Sequence, residues 1–154
     1  ILGCVINFKS EELKTAMVLM ADLDNLKYTN DHWGHDYGDK MLKAAADLLQ
    51  GCDGPHNLAA RLSGDEFVLV IYGAKSQQEI EDCLDCLYSH MKKSDLVMPD
   101  GEHVAVSLSG GYLYYPEHTG TSQELLKLAD KAMYKVKKST KGKFGRYRAE
   151  DDKI

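Results

Sequence analysis

Hydrophobic positions along the chain fall into runs of two distinct periods. Residues Ala16–Leu23 (AMVLMADL) form an apolar run too short for a helix and ending in acids, which predicts a buried strand with functional groups at its exit. Over 34–50, Tyr37, Met41, Leu42, Ala45, Leu48 and Leu49 recur at helical spacing, and Gly51 and Gly54-Pro55 end the pattern. Two strand-like runs, 58–62 and 67–72, are separated only by Ser63-Gly64-Asp65-Glu66, which predicts a β-hairpin with a polar tip. A second amphipathic helix follows over about 76–92, with Ile80, Cys83, Leu84, Leu87 and Met91 on one face. Residues 104–115 alternate and contain Gly110-Gly111, predicting a long strand with a bulge or a close backbone approach at the glycines. Thr121 or Ser122 then caps a last helix whose inner face carries Leu125, Leu126, Leu128, Ala129, Ala132, Met133 and Val136, and 144–148 supplies a final strand. The order β-α-β-β-α-β-α-β predicts an α+β domain, a ferredoxin-like antiparallel sheet flanked by helices, filling residues 1–154 without linker or repeat.

Composition narrows the class. At 154 residues, 44% hydrophobic and 28% charged, the chain reads as one soluble globular domain whose core needs no disulfide or structural metal. No apolar stretch approaches the ~18 residues that cross a bilayer. The opening Ile1-Leu2-Gly3-Cys4 has neither an initiator Met nor a signal-like block, so a fragment of a longer protein is expected. Cys4, Cys52, Cys83 and Cys86 are too sparse for a disulfide scaffold and point to a reduced, cytoplasmic setting; Cys83-x-x-Cys86 lies in a helical pattern and reads as packing rather than zinc. Net charge is −5, yet residues 131–148 hold eight basic residues and no acid. A mostly acidic body with one basic strip argues against long nucleic acid and suits a small polyphosphate.

The candidate chemistry lies at two strand exits. Asp22 and Asp24 end the first strand, and Asp65 and Glu66 sit at the hairpin tip expected beside it, so that four carboxylates would converge. Such a cluster repels itself unless cations neutralise it, and hard oxygen ligands select Mg²⁺ or Mn²⁺. The competing interpretation is that Asp22-Leu23-Asp24 caps a helix and 63–66 is only a polar turn.

Three blocks decide between them: DLDNLKYTNDHWGHDYGDKML from Asp22, RLSGDEF from Arg61 and ADKAMYKVKKSTKGK from Ala129. Together, and in this order, they resemble the GGDEF family of diguanylate cyclases, whose fold is nucleotidyl cyclase or polymerase-palm-like. The resemblance implies condensation of two GTP into cyclic di-GMP and pyrophosphate across a homodimer, with Mg²⁺ or Mn²⁺. It places metal on Asp22, the Leu23 carbonyl, Asp65 and Glu66, and proton transfer on Asp65 and Glu66 jointly. Guanine would meet Asn30 and Asp39, the carboxylate and amide that its N–H groups and its O6 or N3 require. His35, four before Asp39 on the same helix face, matches a ribose- or base-side contact. Phosphates would lie on the Asn25 and Leu26 amides, on Lys27, which steadies the transferring phosphate, and on Lys137 and Lys141. Arg61 either touches the ligand or braces the acids. His32, His56, His90, His103 and His118 match no family position and are assigned to surface or packing.

Departures from the family are informative. Ser63 replaces the first glycine of the name motif, costing on the order of 1 kcal/mol if that position needs φ > 0. On this basis the alternative is a catalytically silent GTP-binding regulatory module; a plain ferredoxin-like interaction domain is the third reading. Leu26 replaces a usual Phe and Thr140 a usual Gly. The Arg-x-x-Asp of the family's inhibitory product site is matched by Gly54-Pro55-His56-Asn57, so no inhibition through that site is expected. The family's N-terminal Asp-x-Leu-Thr-x-Leu-x-Asn-Arg segment is also missing, which fits truncation, and a sensor or dimerising domain is expected upstream. The domain itself is expected to make no membrane contact, being cytoplasmic or the cytoplasmic part of an anchored protein.

Overall fold

The computed structural model describes residues 15–50 and 55–150. Cys4, Cys52, the helix stop at Gly51 and Gly54, and the chain's opening residues lie outside the described residues.

The strand β1 (Ala16–Leu23) is buried along its whole length because helices cover both faces of the sheet. Its alternate residues serve two cores. Met17, Leu19, Ala21 and Leu23 point to one, filled by Met41, Ala45 and Leu49 of α2 (His35–Gln50) and by Ile80, Leu84 and Leu87 of α3 (Gln77–Lys93). Val18 and Met20 point to the other, under Leu125, Ala129, Ala132 and Met133 of α4 (Ser122–Ser139). A continuous apolar run is therefore what a central strand of this sandwich requires. The cap expected at Thr121 or Ser122 is Thr121, and Ser76 caps α3 in the same way: each side-chain oxygen accepts from the backbone N–H three residues on, at 3.2 Å for Thr121 and 3.3 Å for Ser76.

Five strands form the sheet in the order β2-β3-β1-β6-β7. Here β2 is His56–Ser63, β3 Glu66–Tyr72, β6 Leu108–Tyr115 and β7 Phe144–Arg146. The first four pair antiparallel, as expected, but β7 runs parallel to β6, so the sheet is mixed. The expected strand over 104–115 is in fact two. Its first part, β5 (His103–Ala105), pairs with β4 (Asp95–Val97) in a separate two-stranded ribbon, and the chain re-enters the main sheet at Leu108. No bulge occurs at Gly110-Gly111; the register runs unbroken, and the bulge lies instead between Arg61 and Ser63. What the glycine pair provides is close approach: a Cβ on Gly111 would stand 2.2 Å from the Met133 nitrogen and 2.3 Å from the Ala129 oxygen of α4.

Besides β4, a second element was not anticipated. Residues Leu26–Trp33 form a short helix, α1, between β1 and α2, and Gly34 (φ 92) is its C-cap, so the long helix starts one residue later than its periodicity suggested. Eight mostly polar residues give too little periodicity to read. Cys83 is buried in the core, and Cys86 lies 3.9 Å from His90 Nε2. Among the described residues no helix is long and apolar enough to cross a membrane.

Candidate active site

The site is built where β1 ends. Asp22 stands opposite Glu66 of β3 on one side and Ser109 of β6 on the other. The backbone N–H of Leu23 donates to the Asp65 carbonyl at 2.9 Å, tying the hairpin tip to the β1 exit. Arg61 Nε donates to the Gly64 carbonyl at 2.8 Å, so its guanidinium braces the turn that carries the acids. Within the turn it is Gly64, not Ser63, that adopts positive φ (46°), the conformation a two-residue hairpin loop asks of its first position. Ser63 is still strand and pairs with Glu66. The substitution in the name motif thus carries no backbone strain. Thr140 is equally unstrained, with φ −134 at the C-cap of α4, and Leu26 is partly buried against the core.

Asp65 and Glu66 flank Asp22, and Glu66 feels the charges of both other acids, but Asp24 does not join them. Its carboxylate turns into the protein, accepting hydrogen bonds at 2.9 Å from the hydroxyls of Ser107 and Ser109. Ser109 Oγ in turn accepts from the Gly142 N–H at 2.8 Å, so Asp24 anchors the loop that carries Lys141 to the β1 exit. The converging acid that the sequence reading missed is Asp130 of α4, which lines a 410 Å³ cleft with Asp22, Glu66, Lys131, Tyr134 and Lys137. The signal for it lay in the third block, where Ala129-Asp130 opens the lysine-rich stretch.

Asp22 is only 7% exposed. One of its oxygens, Oδ2, is hydrogen-bonded and ion-paired to Lys137 Nζ; the other, Oδ1, is buried without a partner. Burial outweighs the lysine and holds the carboxyl above the usual carboxylate range. Glu66 is pushed up by burial and then by the charges of Asp22, Asp130 and Asp65. Lys137 is raised by its bond to Asp22. Among the described residues no three His, Cys, Asp or Glu side chains stand close enough to hold a metal ion as they are. The donor set nonetheless fits a hard divalent cation: a buried carboxylate oxygen without a partner, beside two further carboxylates whose mutual repulsion a cation would relieve.

A second group forms around α1. Asn25 takes the left-handed conformation (φ 68) and turns the chain into the helix, and no side chain caps α1. The first amide bonded within it is that of Thr29, to the Asn25 carbonyl, which leaves the first-turn amides available to an anion. Lys27 is exposed in that first turn. Asn30 presses its side chain onto α2 so closely that a Cβ on Gly38 would lie 1.7 Å from Asn30 Oδ1, and that oxygen is buried without a partner. Asn30 is thereby held next to Asp39, with His35 one turn earlier on the same helix; both are exposed. The remaining histidines have local partners. His32 meets the Tyr28 carbonyl and ring, His56 stacks on Tyr72, His103 pairs with Asp95, and His118 lies on Glu117 and Tyr147.

Known proteins align with this arrangement. A family profile described as "Diguanylate cyclase, GGDEF domain" matches residues 6–143. The chain belongs to the GGDEF diguanylate cyclase family. It is similar to diguanylate cyclase DgcN of Escherichia coli, 36% identical over 83% of this chain and 31% of that protein. It is also similar to diguanylate cyclase TpbB of Pseudomonas aeruginosa, 35% identical over 86% of this chain and 30% of that protein. The crystal structure of the GGDEF domain of the latter (YfiN or TpbB) superposes with a TM-score of 0.82 at 32% identity, covering 96% of this chain and 91% of that one. The chain spans about a third of the length of the curated relatives it matches.

Proposed function

We propose that this chain is an active diguanylate cyclase domain, joining two GTP into cyclic di-GMP with release of pyrophosphate across a homodimer, and that Asp22, the Leu23 carbonyl, Asp65 and Glu66 hold Mg²⁺ or Mn²⁺. The observation that carries this reading is the buried, half-partnered Asp22 carboxylate set against Asp65 and Glu66 where the name motif falls. A bound divalent ion would neutralise triphosphate charge and ease ionisation of the attacking hydroxyl. The side chains do the rest. Asn30, presented by Gly38, and Asp39 grip the guanine edge, with His35 beside them. The first amides of α1, Lys27, Lys137 and Lys141 take the phosphates.

In the reaction, the ribose 3′-hydroxyl of one nucleotide attacks the α-phosphate of the nucleotide on the facing domain. The bond from the α-phosphorus to the bridging oxygen breaks, pyrophosphate leaves with that electron pair, and the hydroxyl proton passes to the Asp65/Glu66 pair; the reciprocal attack by the second 3′-hydroxyl closes the ring and releases a second pyrophosphate. Each domain holds one GTP, so turnover needs two copies facing each other. An upstream dimerising or sensor segment in a longer cytoplasmic protein, or in the cytoplasmic part of a membrane-anchored one, would supply that pairing.

Backbone strain at Ser63, one ground for the silent-module reading, is absent, since the residue there is ordinary strand. The test is to fuse the domain to a leucine zipper, incubate it with GTP and Mg²⁺, and resolve the nucleotides by chromatography beside an Asp65→Ala control. Cyclic di-GMP from the parent but not the control is expected. GTP bound yet unconverted would favour the silent module, and absence of Mg²⁺-dependent GTP binding would leave a plain interaction domain.

A further inference from the structure

The ion pair inside the cleft has a consequence for how metal and nucleotide enter. Lys137, the residue proposed to hold phosphate, reaches across from α4 and bonds Asp22 Oδ2. Asp22 is a poor place to leave a charge alone. Its side chain is 9% exposed, and Asp65, Glu66 and Asp130 surround it with like charge. An ammonium supplied by the chain itself offsets that cost. Lys137 is not trapped in this position, since its side chain is 38% exposed and lines the open cleft.

We infer that Lys137 is the resident counter-cation of the metal site, occupying Asp22 until a divalent ion and the triphosphate arrive together. The inference rests on the reading of Asp22 as a metal ligand. A cation binding through the partnerless Oδ1 would share one carboxylate with the ammonium on Oδ2. Two positive centres on one carboxylate, in a partly desolvated cleft, repel each other strongly. Metal alone therefore binds against Lys137. The triphosphate changes the balance by offering the ammonium a second anionic partner, so that Lys137 leaves Asp22 for phosphate as the metal takes its place. By linkage, nucleotide then tightens metal and metal tightens nucleotide by the same factor. The cleft stays closed to free Mg²⁺ and opens to the loaded nucleotide.

The decisive experiment uses Mn²⁺ alone, without nucleotide, titrated into the protein while free Mn²⁺ is read by electron paramagnetic resonance. The proteins are the parent, Lys137→Met, Lys137→Arg and Asp22→Asn, each checked for an unchanged far-ultraviolet circular dichroism spectrum. Lys137→Met is expected to bind Mn²⁺ at least fivefold more tightly than the parent, the low end of typical coupling. Lys137→Arg, which keeps the cation, should bind as weakly as the parent, and Asp22→Asn should abolish the site. A GTP titration should show the opposite ranking, with Lys137→Met weakened. Lys137→Met binding Mn²⁺ no better than the parent overturns the inference, even if the parent makes cyclic di-GMP, because a lysine serving only phosphate would leave metal affinity untouched. Mn²⁺ bound by none of the four proteins, with no product from the parent, overturns the cyclase reading itself.

Discussion

Asp22 and Asp24 are two residues apart and chemically identical, yet the fold gives them opposite tasks. Asp24 is fully engaged by Ser107 and Ser109, whereas Asp22 keeps one buried oxygen unpartnered and sits above its ordinary pKa through burial. Substitutions should therefore separate stability from function. Asp24→Ala leaves the buried Ser109 hydroxyl and the half-buried Ser107 hydroxyl without their acceptor and loosens the support of the Lys141 loop, and should cost about 1–3 kcal/mol in urea unfolding. Asp22→Asn removes a charge that burial already disfavours, so its unfolding free energy should stay within about 1 kcal/mol of the parent while cyclic di-GMP formation is lost. The sequence placed both acids at a strand exit but could not tell them apart. The distinction depends on Ser107 and Ser109, more than eighty residues away, whose alignment with Asp24 is set by the pairing of β6 with β1. Asp130 was hidden for a similar reason: only the packing of α4 across the sheet brings it to the cleft.

Elements that bury a clear apolar face were legible, namely β1, the β2-β3 hairpin and the three long helices, because tertiary packing follows the same periodicity that the sequence displays. What escaped was decided by backbone fit instead. The helix α1 is short and polar, the ribbon of β4 and β5 is made of two three-residue strands, and the parallel direction of β7 is a property of the connection, not of its residues. Backbone fit also links an element's position to the site. Gly111 lets α4 lie against β6, and α4 carries both Asp130 and Lys137. A methyl group there meets main-chain atoms that no rotamer change can move, so Gly111→Ala should destabilise the fold by about 1–3 kcal/mol and shift α4 with its two site residues. Gly38→Ala acts differently. Its methyl group meets the Asn30 side chain, which can rotate away, so the fold should survive within about 1 kcal/mol while GTP affinity falls, a contrast that unfolding and nucleotide titration of the two variants would measure.

At the scale of the whole molecule, the core filled by α2 and α3 is closed by phenols that must stay neutral, and this fixes how the fold responds to alkali. Tyr114 is fully buried, its hydroxyl has no partner, and Arg146 lies over its ring at 4.7 Å. Burial raises the pKa of Tyr114 far above that of a free phenol, and burial likewise raises Tyr88 and Tyr112. A phenol whose folded pKa is raised binds its proton more tightly in the native state than in the unfolded one. Its contribution to stability is therefore intact below the unfolded pKa of about 10 and is lost as pH rises beyond it, because only the unfolded chain can then ionise. For Tyr114 the loss should approach about 1.4 kcal/mol per pH unit above 10. Tyr114→Phe removes the ionisable group while keeping the ring under Arg146. At pH 7 the variant should equal or exceed the parent, by up to about 1–2 kcal/mol, since an orphaned hydroxyl no longer has to be desolvated. Urea unfolding of both proteins at pH 7 and pH 11 tests this directly. The gap between them should widen at pH 11 in favour of phenylalanine; a constant gap would mean that the Tyr114 hydroxyl reaches water in the native state.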